Sequence, residues 1–516
     1  MVGFENEPVE REPVDRAERR GQAAILRRIW RLHFWIGLFA APVLITLACT
    51  GLIILYTQPL DLLLHRDLKV VSATASTVSL DDQIATARAH VDSGMMLDAV
   101  TPPEAPGRST QVDFLPAEES AVGERNVTQV FVDPYNGAYL GQRHELDGLV
   151  GWANQLHRLF GNDGPTLALP ALGHLIAPSA YPEASIRVGI GNLLIEMAAV
   201  WVLVLAATGI YLWWPRAIER GKPRLAIRWR KGGRLRWRDL HATTGILLSV
   251  VLIFYIVSGL TWSRYWGENW RAVASTVTPG TEVDAPSTPA KVGDFDRLGR
   301  RIAWGDKEDP VYASSGPASR PLSFNDIDQI AKTENMVPGY SIVGPSNTTT
   351  DGETTYGSYT VVNHWPQKLS EQRTLYLDQF TGKTVANSTA DQDGALARIT
   401  SWGVDMHMGA QYGVLTRVLA TMFCLGLLTS IGTAVLMWWK RRPTGSAGLP
   451  GRSSDSVRAQ TPRGAVAAIG VIATALAVLY PSFGVTLLLV LVAESIVESR
   501  RVSRRPAVIV RESDHD

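Results

Sequence analysis

Four histidines carry the chemistry that this sequence could do: His33, His157, His241 and His407. An imidazole binds a transition metal through one ring nitrogen while a neighbour fixes the other. His33 opens RLHFWIGLFAAPVLITLACTGLIILY, Arg31 to Tyr56, and His241 opens DLHATTGILLSVVLIFYIVSGLTWSRY, Asp239 to Tyr265. Gly51 follows His33 by 18 positions, and Gly259 follows His241 by 18. His157 lies in NQLHRLF and His407 in DMHMG. A single histidine at the rim of an apolar run commonly snorkels or bonds locally. Four in repeated settings argue for a shared use, because ionisable groups are costly inside a membrane.

The elements that position them are apolar helices. The run Phe34 to Tyr56 has no charged residue and, at 1.5 Å per residue, can cross a hydrocarbon core of ~30 Å. Further spans read at 189–214, 239–262 and 413–439. Residues 1–30 form a charged tail, expected to be disordered, with seven arginines between Arg11 and Arg31. The stretch is too long and too acidic for a signal-peptide n-region.

Charge asymmetry sets the orientation. The loop 215–238 holds ten Lys/Arg against one acid, Glu219, whereas 66–156 holds 6 Lys/Arg against 13 Asp/Glu and 266–406 holds 12 against 18. The positive-inside rule puts the N-tail, the basic loop and the 440–463 linker in the cytoplasm, and the acidic segments outside. Residues 464–497 are apolar around Tyr480-Pro481-Ser482, with arginines on both flanks. A hairpin of two short spans leaves both flanks, and the 498–516 tail, inside. The expectation is a multi-pass membrane protein with both termini cytoplasmic.

The two outer segments repeat each other. Val130 to Leu140, VFVDPYNGAYL, matches Leu375 to Val385, LYLDQFTGKTV, as strand, tight turn, strand, with Gly137 and Gly382 in the turns. Ser79 and Ser323 each open a helical pattern as N-caps. The fold class that follows is an α-helical integral membrane protein. Its four-helix core arises by duplication, with a C-terminal helical hairpin and two small α+β extracytoplasmic domains at 66–150 and 266–398.

In that frame His33 and His241 lie at the cytoplasmic ends of spans one and three, and His157 and His407 precede spans two and four on the outer side. A pseudo-two-fold axis along the membrane normal makes 33 face 241 and 157 face 407. Two neutral imidazoles facing each other are the axial ligand set of a low-spin b-type haem, and the two pairs predict two haem b groups and electron passage across the bilayer. Gly37, Gly245 and Gly409, close to their histidines, would leave room for a flat cofactor, but close helix–helix packing is the favoured reading of them. Gly51, Gly209 and Gly259 read as helix–helix packing. His65 and His174 are outer-side alternatives, while His90, His144, His364 and His515 read as ordinary polar positions. Glu196 lies inside span two as a proton acceptor or a partner of Arg187. Arg216, Arg228, Arg230 and Arg238 could pair propionates or simply set topology.

The elements LHFWIGL, LHRLFGNDG, TGIYLWWP, DLHATTGILL and MHMGAQYG…WWKRR together resemble the PepSY-associated transmembrane-helix family, often called iron-regulated membrane proteins, over roughly 25–443. The segment Val132-Asp-Pro-Tyr-Asn-Gly137 resembles part of a PepSY domain. The resemblance implies a haem-dependent ferric-siderophore reductase that takes electrons from a membrane quinol or a cytosolic donor.

Two other classes compete. PepSY units are associated with restraining peptidases, so a non-enzymatic protein that binds an extracytoplasmic peptidase is the main rival. Metal-ion transport is weaker, because the spans lack clustered carboxylates or broken helices. A net charge of +1 gives no field for nucleic acid. The two cysteines, Cys49 and Cys424, lie in apolar runs outside any C-x-x-C-H, which excludes covalent haem attachment. No G-x-G-x-x-G, Walker A, nucleophile elbow or H-E-x-x-H is present.

Overall fold

The computed structural model describes residues 13–502 apart from 117–126, 160–163, 219–224, 226, 230–232, 282, 299, 318, 364–367 and 446–462. The chain divides into two units, one of Met1–Ala40, Glu196–Pro223 and Arg442–Asp516, the other of Ala41–Ile195 and Arg224–Arg441. Its helices are α1 (Pro13–Leu55), α2 (Thr57–Leu64), α3 (Leu80–Arg88), α4 (Gly148–Leu159), α5 (Ile190–Ile218), α6 (Arg234–Leu260) and α7 (Arg264–Val277). They continue as α8 (Phe324–Thr333), α9 (Ala395–His407), α10 (Val414–Arg441), α11 (Arg463–Leu479) and α12 (Pro481–Val502).

Among the described residues, four helices are long and apolar enough to cross a membrane: Gln22–Leu55, Ile190–Trp214, Leu235–Leu260 and Val414–Arg441. Their outward residues are large and bare, as with Phe39, Val250 and Val414, which suits contact with lipid rather than water. Residues 13–30, expected as a disordered tail, instead extend α1. Pro13 stands at the first helical position, where its missing N–H removes no helical bond.

In the first unit, α11 and α12 are separated by Tyr480, with Pro481 opening the second helix. The joint is tied down at its tip. The Phe483 ring packs on Trp201 at 4.6 Å, and Trp201 donates to the Thr486 hydroxyl at 3.0 Å. Glu196 is fully buried within electrostatic reach of Tyr480.

In the second unit, the two acidic segments share one sheet. Its strands are β1 (Met95–Thr101), β2 (Thr110–Pro116), β3 (Thr128–Val132), β4 (Tyr139–His144), β5 (Ser341–Val343), β6 (Tyr359–Val362), β7 (Arg373–Leu377) and β8 (Thr384–Thr389). Their order is β8-β7-β6-β5-β1-β2-β3-β4. The halves join where β1 pairs antiparallel with β5, Ala99 opposite Val343 and Val100 opposite Ile342. These are equivalent strands of the repeat, so the expected pair of separate domains is one eight-stranded layer.

The repeat reaches side-chain detail. Gly137 and Gly382 sit at φ +72° and +68°, which a β-carbon would disfavour. Asp133 and Asp378 each accept from the amide two residues on at 2.9 Å. Ser79 and Ser323 cap α3 and α8. The helix starts also cap each other: Asp81 accepts from the amides of Phe324 and Asn325 at 3.1 Å, and Asn325 accepts from Leu80 at 3.3 Å. Strand alternation sends Val100, Val130, Ile342 and Leu375 under these helices, and Ala99, Val343 and Tyr376 against Val292, Phe295 and Ile302 on the other face.

A bulge in β1 between Leu97 and Ala99 displaces Asp98. The freed carboxylate meets the buried guanidinium of Arg297 at 2.8 Å and that of Arg300. Burial alone would raise the pKa of Asp98, but Arg300 and Arg297 outweigh it and hold it low. Truncation of Arg300 leaves that charge buried with half its partners. Arg300→Ala is therefore expected to destabilise the sheet by about 3–5 kcal/mol, read from thermal unfolding in detergent.

Asp306, Asp309 and Asp393 form the opposite case. Burial and mutual repulsion raise all three carboxyls, Asp393 to about 7. A folded-state pKa above the unfolded value means the folded state holds its proton more tightly, so stability falls as pH rises from about 4 through 7. Asp393→Asn removes one of these carboxyls. Its gain in thermal midpoint is expected to be larger at pH 8 than at pH 5, and equal gains would refute the repulsion.

Candidate functional site

Each of the four histidines is held through Nδ1 by a neighbouring helix. In the first unit, Nδ1 of His33 lies 3.0 Å from the Thr208 hydroxyl on α5. In the second, Nδ1 of His157 lies 2.9 Å from the Thr50 hydroxyl on α1, and that of His407 lies 3.0 Å from the Ser258 hydroxyl on α6. His241 places Nδ1 3.0 Å from the backbone carbonyl of Ser430 on α10.

The hydroxyls bear on which nitrogen carries the proton. A hydroxyl has one hydrogen. Thr50 donates it to the Thr46 carbonyl at 2.7 Å, Ser258 to Phe254 at 2.8 Å and Thr208 to Val204 at 2.8 Å. Each oxygen can then only accept from imidazole, and the Ser430 carbonyl can only accept. These contacts are compatible with the Nδ1–H form of each ring. This is the arrangement in which a metal-ligating histidine is fixed by its second nitrogen.

Glycine makes the fit possible, though not where the sequence suggested. Gly51, Gly209 and Gly259 directly follow the three hydroxyl residues. A β-carbon on them would lie 3.4, 3.1 and 3.1 Å from Cε1 of His157, His33 and His407 respectively. These glycines seat imidazoles, and the expectation of plain helix packing is replaced. Gly37 faces Leu205. Gly409, at φ +69°, ends α9 in a left-handed cap, with the Ala410 amide returning to Asp405. Beside Gly245 a β-carbon would meet no atom within 4 Å.

His157 and His407 lie in the last turns of α4 and α9, within electrostatic reach of each other. Burial pushes His157 down to about 4, helped by Arg158 and opposed by the Leu47 carbonyl. Burial pushes His407 down to about 3, and a charge on His157 would depress it further. Both are therefore neutral at physiological pH. Tyr255 flanks His407, its ring centroid 4.9 Å away, and stacks on Phe423 at 4.4 Å and 3°. Two residues before His407, Asp405 is buried with Oδ2 lacking a hydrogen-bond partner, and burial pushes it up to about 8. On α6 the His407 seat at Ser258 is 17 residues from His241, or ~25 Å along the axis. His33 belongs to the other unit.

The remaining candidates have local roles. His65 lies 3.9 Å from Asp61, whose carboxylate also binds Lys69 and Arg143. His174 bonds the Tyr181 carbonyl, His90 stacks on Tyr139, and His144 lies 3.3 Å from the Thr128 hydroxyl. Arg228 grips Asp239 with two hydrogen bonds, at 2.6 and 2.8 Å, and Arg238 adds a third, so neither points to a propionate. His364, His515 and Arg230, and the side chain of Arg216, fall outside the described residues.

Among the described residues, no three His, Cys, Asp or Glu side chains are grouped to hold a bare metal ion. Pairs of Nε2 lone pairs suit a metal whose remaining ligands come with it, as in a porphyrin. The sequence matches the PepSY-associated TM region family over residues 30–441, and the chain belongs to that family. No curated protein matches it.

The tautomer assignment is open to measurement. In protein labelled with 15N-histidine, the His157 and His407 signals are expected to show protonated Nδ1 and no titration between about pH 5 and 9. Ser258→Ala should release the His407 signal alone. Titration of either ring near pH 6.5 would contradict the buried, neutral assignment.

Proposed function

We propose that the chain is a transmembrane electron carrier that holds b-type haem between His157 and His407 and passes single electrons to an iron(III) chelate on the sheet side. One observation supports the reading: two half-buried imidazoles lie within electrostatic reach of each other, each with Nδ1 at hydrogen-bond distance from a hydroxyl of a neighbouring helix. Such a pair lacks enough donors for a bare ion but would hold the iron of a haem, which brings its remaining ligands with it. The haem supplies reversible one-electron transfer when bound.

The chain's own residues do the rest. Thr50 and Ser258 orient the rings, Gly51 and Gly259 let them approach the helices, and the lipid-facing spans exclude water. His33 and His241 are each held through Nδ1 in the same way, by Thr208 and by the Ser430 carbonyl. The positive-inside rule makes the sheet side extracytoplasmic. A membrane quinol balances the reaction: it gives up two electrons and two protons to become quinone, and two iron(III) chelates become two iron(II) chelates. Iron(II) is held more weakly by such ligands and is released.

Reduced-minus-oxidised spectra of purified protein test this directly. The expected result is b-type haem bands, with His407→Ala and His33→Ala each removing a different component. Absence of bands after expression with ample haem overturns the reading. Loss of neither component in the variants overturns the ligand assignment.

A further inference from the structure

Three helices beyond the sheet-side ends of the spans are packed inside out. In α4, Asn154 is buried while Leu149 and Trp152 are 44% and 54% exposed. In α9, Thr400, Ser401 and Asp405 are buried while Ile399 is 65% exposed. In α2, Asp61 turns inward to Arg143 and Lys69, and Leu63 and Leu64 are left bare. A helix that faces water shows the opposite pattern. A lone exposed leucine needs no explanation, but here the repeat carries the feature twice. Leu149 and Trp152 stand eight and five positions before His157, and Ile399 and Trp402 stand eight and five before His407. Trp402 is half-buried, with its indole nitrogen 3.4 Å from the exposed Tyr412 hydroxyl.

The histidines set the depth of these helices. His157 bonds Thr50, five residues or ~7.5 Å inside the end of α1, and His407 bonds Ser258, two residues or ~3 Å inside the end of α6. Both helices therefore end within the rim of the spans, and their bare faces continue the lipid-facing surface. We propose that α4, α9 and α2 lie in the boundary layer of a phospholipid membrane on the sheet side. Leu149, Ile399 and Leu63 enter the acyl chains, and Trp152 and Trp402 stand at headgroup level, where an indole places its ring in lipid and its N–H in a polar layer. Because each of α4 and α9 ends on its histidine, the bilayer surface fixes the depth of both imidazoles.

The test uses the full-length chain in phospholipid nanodiscs, with Cys49 and Cys424 replaced by alanine. Spin labels on Leu149→Cys and Ile399→Cys are expected to collide severalfold more often with oxygen, which concentrates in acyl chains, than with a water-soluble nickel chelate. A label on Val414→Cys, bare at the start of α10, should behave alike, and one on the exposed Glu353→Cys should reverse the ratio. If loss of the buried Cys424 unfolds the protein, p-benzoylphenylalanine at positions 149 and 399 of the otherwise unaltered chain replaces the labels, and photolysis should yield phospholipid adducts. Preference for nickel at both positions, or failure to form lipid adducts where position 414 forms them, means contact with water and overturns the proposal. Exclusion of both reagents, or crosslinks to a second copy of the chain, means a protein interface and overturns it equally.

Discussion

A buried imidazole must satisfy one nitrogen without spending the other, and the helix bundle is arranged around that constraint. The solution is a Ser or Thr hydroxyl already committed to its own helix, followed by a glycine. Thr50-Gly51, Thr208-Gly209 and Ser258-Gly259 are three instances. The hydroxyl's bond to the carbonyl four residues back closes its only donor, which leaves its oxygen to accept from the ring. The next residue must be small, because the ring then lies flat against the helix backbone. His241 reaches the same state with a carbonyl in place of a hydroxyl, and there the dipeptide is absent.

Much of this was legible in the sequence, and the rest was hidden for identifiable reasons. The spans, the histidines at their ends and the repeated turns at Gly137 and Gly382 all leave local traces: apolar length, spacing and turn chemistry. The spacing of 18 between His33 and Gly51 was visible as a mark of the repeat, but it does not name the partners. It joins two residues of one helix, whereas Gly51 serves His157, over a hundred positions away. Pairings of that kind leave no period in the chain. The single sheet was hidden for the same reason, since β1 and β5 meet across more than two hundred residues. The extension of α1 back to Pro13 was missed because charge and proline were read as disorder, although proline suits a helix start.

The sheet and the bundle handle polarity in opposite ways. In the sheet, charges are buried in contact with opposite charges, as with Asp98 between Arg297 and Arg300. Along the spans, Glu196 apart, burial of polar groups falls on hydroxyls whose hydrogen bonds close locally, as with Thr50, Ser258 and Thr433. This division fits a chain whose bundle offers little dielectric screening, where a neutral ligand avoids the cost of an unpaired charge.

The pairing of β1 with β5 is a matter of symmetry. Both strands are the same element of the repeat, and they meet antiparallel about a local two-fold axis, as do the mutually capping starts of α3 and α8. A single half would present β1 as an open edge and leave Asp81 without the amides it caps. Two copies of that half could satisfy each other through the same contacts, because a two-fold interface is self-complementary. The internal seam thus has the self-complementary geometry of a two-fold interface, closed within one chain.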